Sequence, residues 1–168
     1  MGVTGHKQKA PRKISLGIVT ASTTRSLEDD ESGLWIAAAA REAGHDVVYH
    51  RVIPDDATAI GDAVNKAMAA GSQVIIVTGG TGITPADVSV EAVSPLFTKE
   101  LSAFGPLFAQ LSYAQIGSAA VMSRAAAGVI NGQAAVFCMP GSLKACQLAC
   151  QSLIFPELGH LVKHLGDT

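Results

Sequence analysis

Three short apolar runs, each leading into small polar residues and then a helix-forming segment, set the main constraint on this chain. They are ISLGIVTAS (Ile14 to Ser22), HDVVYHRVI (45–53) and SQVIIVT (72–78). β-Branched and small apolar residues dominate them, as in strands covered on both faces. Between them lie LWIAAAAREAG, which ends at Gly44, and PDDATAIGDAVNKAMAAG, where an Asp pair follows Pro54 and Gly71 closes the segment. Alanine and leucine favour helix, aspartate suits an N-terminal cap and glycine a C-terminal stop. The order β-α-β-α-β calls for parallel strands with right-handed crossovers and helices on both faces of the sheet. A single α/β domain of three layers, αβα, with a mostly parallel sheet is the expected architecture.

The second half is less regular. SVEAVSPLFTKEL predicts a helix disturbed in its late turns by Pro95, and FGPLFAQLSYAQIG predicts another. AAVMSRAAAGVING fits helix or strand equally, up to the tight turn marked by Asn131-Gly132. QAAVFCM then reads as a fourth strand, and the C-terminal segment as helices divided at Pro156. At 168 residues the chain supports one full core, placed at 14–168 behind a polar tail, 1–13. That tail carries basic residues but no apolar segment follows to act as a signal-peptide core, and no run is long enough to cross a bilayer. With 15% charged residues and a net charge of −2, no global field favours nucleic acid. Three cysteines, Cys138, Cys146 and Cys150, are an odd number, which suits a reduced, cytoplasmic protein.

In an open parallel sheet, ligands bind beyond the carboxyl ends of the strands. Four loops belong there: Ser22-Thr23-Thr24, Pro54-Asp55-Asp56, Gly79 to Asp87, and Pro140-Gly141-Ser142. Gly79, Gly80, Thr81 and Gly82 follow the most apolar strand. Without β-carbons, their amides approach a ligand closely and form an anion-binding concavity; the alternative is a tight turn at positive φ. Asp55 and Asp87 end the second and third strands, so adjacent strands would bring both to one rim. Two carboxylates beside a phosphate repel it unless a divalent cation lies between, and Mg²⁺ takes a few carboxylate oxygens together with phosphate oxygens. The competing reading is helix capping, by Asp55 or Asp56 for the second helix and by Asp87 for the third.

TGGTGITPADVSVEA, with PDD, DESG, SRAAAGVING and MPGSLKA, resembles the MoaB/MogA family of molybdenum cofactor biosynthesis proteins over about residues 14–164. The resemblance implies a single α/β domain that assembles as trimers or hexamers. It implies Mg²⁺- and ATP-dependent adenylylation of molybdopterin, with release of pyrophosphate. The family's two essential acidic residues fall on Asp55 and Asp87, which would also organise Mg²⁺. Its pterin-phosphate and nucleotide loops fall on Gly79 to Gly82, Ser123, and Pro140, Gly141 and Ser142; Ser22 and Thr23 join them as substrate-binding residues. Other proteins of the pathway are implied partners. Two departures stand out: Ala86 where relatives commonly carry Arg, and Ser89-Val90-Glu91 where many carry Thr-Pro-Glu. Ala86 favours the alternative of a non-catalytic molybdopterin carrier or scaffold, whereas the retained Asp55 favours the enzyme.

Other residues carry weaker signals. His160 and His164 share the i, i+4 spacing of a chelate but lack an evident third ligand, which favours a solvated or interface helix. Cys146 and Cys150 read as small core hydrophobes and Trp35 as a packing residue. Arg124 and Lys144 adjoin the site loops and are either phosphate contacts or surface charges. Part of the apolar C-terminal segment and part of LFTKELSAFGPLF are expected to supply an interface between copies of the chain.

Overall fold

A computed structural model of the protein describes residues 13–166. The predicted alternation is present as β1 (Ser15–Ala21), α1 (Glu31–Glu42), β2 (Asp46–Ile53), α2 (Ala57–Ala69) and β3 (Val74–Thr78). Both helices stop before a glycine at positive φ, Gly44 and Gly71, where the absent side chain lets the backbone turn left-handed. The expected polar tail falls almost wholly on residues outside those described.

Beyond β3 the structure departs from the expected long helix. Only Ser89–Val93 is helical (α3), and a 3-10 turn at Ser94–Leu96 follows with Pro95 inside it. Proline has no N–H to continue the ladder, and the chain instead pairs as the short strand β4 (Lys99–Glu100). Thr98 and Leu101 donate their N–H groups to Val129 and Ala127 on β5 (Ala126–Ile130). Helix α4 (Phe104–Ile116) separates β4 from β5, with a 3-10 segment at Gly117–Met122. The ambiguous stretch is thus divided between that segment and a strand. Asn131 and Gly132, at φ 51° and 66°, turn the chain into β6 (Ala134–Met139). Two successive positive φ values are what a hairpin turn of this hand requires.

The sheet has the order β2-β1-β3-β6-β5-β4. Its first four strands are parallel, and β5 and β4 are antiparallel additions at one edge. Each face carries its own core. Leu16, Ile18, Ile76, Phe137 and Met139 pack against α1, α4 and the C-terminal helices; Val19, Ile75, Val77 and Val136 pack against α2 and α3. Alternate residues of one strand thus supply opposite cores, which is why β1 and β3 are apolar throughout.

The C-terminal segment continues as α5 (Leu143–Ala149), a π-type turn at Cys150–Ile154, a 3-10 turn at Phe155–Glu157, and α6 (Leu158–Leu165). Its apolar residues largely complete the protein's own core, with Ile154, Leu158 and Val162 buried. Among the exposed large apolar side chains, Leu107, Tyr113, Ile116, Val121 and Met122 lie together on α4 and the segment after it, whereas Leu27, Leu34, Val48 and Ile83 are scattered. No described helix is long and apolar enough to cross a membrane.

Candidate active site

β1 connects to β2 on one side, and the chain then crosses back to place β3 on the other. This reversal opens a crevice beyond the carboxyl ends of β1 and β3. A cleft of about 340 Å³ occupies it, lined by Thr20, Ala21, Ser22, Thr24, Arg25, Asp55, Gly79, Gly80, Asp87 and Gly141. All four expected loops contribute. Asp55 and Asp87 share the cleft, although β2 and β3 are not adjacent as the sequence reading assumed: β1 lies between them, and its own loop fills the gap.

The two aspartates after β2 divide their work. Asp56 is the cap, its Oδ1 accepting from the Ala59 N–H at 2.8 Å. That frees Asp55 to turn toward β1. Its Oδ2 accepts from both the N–H (3.0 Å) and the hydroxyl (2.9 Å) of Thr23, while its own N–H donates back to the Thr23 oxygen at 3.3 Å. Oδ1 makes no hydrogen bond among the described residues and lies 3.1 Å from where a β-carbon on Gly80 would stand. A carboxylate fixed through one oxygen and open at the other is suited to an external ligand.

The glycine loop is held from behind. Gly79 and Gly80 have φ of 82° and 62°, positions where an L side chain is strained. A β-carbon on Gly80 would also meet the Ser89 oxygen at 2.5 Å, and one on Gly141 would meet the Gly79 Cα at 2.9 Å. The β3 and β6 loops therefore touch backbone to backbone. Ser89 is fully buried beneath this loop; its N–H donates to the Gly80 carbonyl at 2.9 Å and its hydroxyl has no partner among the described residues. Thr81 is buried and Gly82 lies off the cleft wall, so Gly79 and Gly80 are the members of the loop that face the ligand space.

Arg124 resolves as a structural clamp. Its Nε donates to the carbonyls of Thr81 (3.1 Å) and Gly82 (3.0 Å), and one terminal nitrogen reaches the Asp87 carbonyl at 3.3 Å. Both terminal nitrogens bind the Glu91 carboxylate, a fork-to-carboxylate pair. Hydrogen bonding to Arg124 holds the Glu91 carboxyl below its ordinary range. The Glu91 that follows the departure at Ser89-Val90 thus anchors the loop.

Asp87 is not a helix cap: Val88 occupies that position in α3, with no side-chain cap. The Asp87 Oδ2 instead accepts from the hydroxyl (2.7 Å) and N–H (2.9 Å) of Thr84, and the Asp87 N–H returns to the Thr84 carbonyl at 3.0 Å. These Thr84 contacts, with smaller help from Gly82 and Arg124, hold the Asp87 carboxyl below its usual range. The group is anionic at neutral pH.

DESG proves to be the support beneath the cleft. Asp30, wholly buried, caps α1 by accepting from Gly33 N–H at 3.0 Å. Its other oxygen takes the Thr20 hydroxyl at 2.6 Å and faces His50 Nε2 at 3.1 Å. Burial pushes the Asp30 pKa up, but the bonds from His50, Thr20 and Gly33 together outweigh it and the net shift is downward. Two residues on, the Ser32 hydroxyl donates to the Gly141 carbonyl at 2.7 Å and pins the loop after β6.

The remaining expected residues separate. Ser142 caps α5 through the Ala145 N–H (3.2 Å), and the Pro140 carbonyl accepts from the Cys146 thiol (3.4 Å). Ser123 lies off the cleft wall, its N–H closing the preceding turn on Ala120. Lys144 faces a different groove, between α4 and α5. The cation in the cleft wall is Arg25, which the sequence reading passed over although it directly follows Ser22-Thr23-Thr24. The cysteines are buried, and desolvation pushes the Cys138 and Cys146 thiols up to about 12, so none is a nucleophile.

Residues 17–160 match the family described as "Probable molybdopterin binding domain". The chain belongs to the molybdenum cofactor biosynthesis family. It is 43% identical over 171 residues to the Bacillus subtilis "Molybdenum cofactor biosynthesis protein B", covering 98% of each chain. It is 39% identical over 172 residues to the Pyrococcus furiosus "Molybdopterin adenylyltransferase", covering 99% of this chain and 100% of that one. A crystal structure of a molybdenum cofactor biosynthesis protein B superposes with a TM-score of 0.85 at 44% identity, over 94% of this chain and 98% of that one.

Proposed function

We propose that the cleft adenylylates molybdopterin: an oxygen of the pterin's terminal phosphate attacks the α-phosphorus of ATP, and the bond to the β-phosphate breaks as pyrophosphate leaves. The observation that carries this reading is the pairing of an open Asp55 oxygen with Asp87 across a cleft floored by the Gly79 and Gly80 backbone. The Gly79 N–H is taken by the Met139 carbonyl at 3.1 Å, so the loop offers a phosphate the Gly80 N–H instead. An amide held at a fixed position stabilises phosphate charge without reorganising, and phosphoryl-type transfer asks mainly for positioning and charge compensation.

Mg²⁺ fits the donor set. No group of three or more His, Cys, Asp or Glu among the described residues could hold a metal alone, and the two cleft carboxylates supply hard oxygen donors. That is the pattern of an ion that completes its shell with phosphate oxygens and water. When bound between Asp55 and Asp87, it would neutralise charge on the phosphates. Thr23 fixes the Asp55 carboxylate, Thr84 fixes that of Asp87, and Arg25 adds a positive charge on the cleft wall.

A molybdopterin carrier in the same pathway is the second reading. Its support is Ala86, with the Asp87 Oδ2 already committed to two bonds from Thr84. Incubation of purified protein with molybdopterin, ATP and Mg²⁺ separates the two: the enzyme yields adenylylated pterin and pyrophosphate, and the carrier yields bound pterin alone. On either reading we take the protein to act in the cytoplasm as a trimer or hexamer, alongside other proteins of the pathway.

A further inference from the structure

The hairpin turn at Asn131-Gly132 lies at the rim of the sheet opposite the cleft, because β5 runs antiparallel to β6. Beside it the last turns of α6 form one wall of a separate cavity of about 520 Å³, whose lining includes Lys99, Asn131, His160, Leu161, His164 and Leu165. His160 and His164, one helical turn apart, face each other through their Nε2 atoms at 2.9 Å. Glu157, a turn earlier, has Oε2 3.3 Å from the His160 Nδ1.

We propose that His160 and His164 form a two-imidazole chelate for a divalent first-row transition metal. An ionised carboxylate only accepts, so Glu157 fixes the proton of His160 on Nδ1 and leaves the Nε2 lone pair available. A carboxylate on the far nitrogen of a metal-binding histidine is a common supporting arrangement, and it raises ligand basicity. Without metal, His164 donates its Nε2 proton to that lone pair. With metal, the proton moves to the His164 Nδ1, so the ring stays neutral and both Nε2 lone pairs converge on one point.

The 2.9 Å contact is an N–H···N hydrogen bond, so the two Nε2 atoms must part slightly to admit an ion. Imidazole nitrogens suit Ni²⁺ and Cu²⁺, with water filling the remaining positions from the cavity side. The site shares no residue with the cleft and does not depend on the adenylyltransferase reading.

The test uses the untagged full chain, titrated calorimetrically with NiCl₂ beside His160→Ala, His164→Ala, Glu157→Gln and His6→Ala. The expected result is one bound Ni²⁺ per chain, with affinity falling more than about tenfold in each helix histidine variant and about tenfold in Glu157→Gln. His6→Ala should bind as wild type. Electron paramagnetic resonance of the Cu²⁺ form should show coordination by two imidazole nitrogens, reduced to one in either alanine variant. Absence of Ni²⁺ binding by the wild type, undiminished binding in both alanine variants, or loss on His6→Ala alone would overturn the site.

Discussion

The Ser32 hydroxyl donates to the Gly141 carbonyl at 2.7 Å, joining residues 109 positions apart. Through this bond the start of α1 holds the loop after β6 against Gly79. Ser32→Ala should cost about 1 kcal/mol of stability, as for one lost hydrogen bond. It should weaken molybdopterin binding further than that loss explains, because the loop is released. Thermal unfolding and pterin binding measured on the same samples check it; equal small losses in both would reduce Ser32 to a local tie.

The neighbouring aspartates should separate cleanly. Asp56→Ala removes a helix cap and should cost about 1 kcal/mol while leaving adenylyl transfer near wild type. Asp55→Ala loses the exposed bonds from Thr23, should cost about 1 kcal/mol or less, and should abolish transfer. Chemical denaturation and product formation on both variants decide the matter, and a swapped pattern would mean the capping roles are misassigned.

Gly80→Val places a branched side chain at φ 62° and against the Ser89 oxygen. Strain of about 1–3 kcal/mol is expected at such a position, together with loss of pterin affinity as the loop leaves its place. If affinity measured by fluorescence quenching is untouched, the loop is a turn and nothing more.

Asp30 gives a pH dependence with a definite sign. Its folded-state pKa is depressed, so the stability it contributes is present above the ordinary aspartate range and is lost as pH falls through the folded value. Asp30→Asn should therefore be clearly less stable than wild type near pH 7, with the gap narrowing only as pH falls below the ordinary aspartate value. Urea midpoints across that range provide the check, and a constant gap would show that the charge on Asp30 contributes nothing.

Self-association, if it follows the exposed apolar face, should depend on α4 and the segment after it. Tyr113 is 65% and Val121 86% exposed, in a region that also leaves Ile116 and Met122 uncovered. Light scattering should give a trimer or hexamer mass that falls to monomer in a Tyr113→Glu, Val121→Glu double variant. A wild-type monomer at micromolar concentration would contradict it.

Where one element owed its form to its own residues, the sequence was legible. The first three strands and two helices carry their caps, stops and β-branched runs locally, and the four rim loops follow from parallel topology. What escaped was set by distant partners. Lys99–Glu100 became a strand because Val129 and Ala127 accept from its neighbours, and Pro95 had already ended the helix. The competition between Asp55 and Asp56 was decided by Thr23, 32 positions before Asp55. Arg124 reads equally as a phosphate contact or a surface charge, and its actual partners, the carbonyls of Thr81, Gly82 and Asp87, lie about 40 positions away; Arg25 sits in an ordinary polar loop. Of the C-terminal apolar residues, Ile154, Leu158 and Val162 are covered on the sheet face they share with α1, which the sequence could not assign to one face or another.

The most direct test is a single-turnover assay of molybdopterin and ATP with and without Mg²⁺, comparing wild type with Asp87→Ala. Adenylylated pterin and pyrophosphate should form in equal amounts only with wild type and Mg²⁺, while the variant keeps its unfolding temperature. Tight pterin binding by the wild type with no product, under conditions where an active relative turns over, would contradict the enzymatic account and leave the carrier.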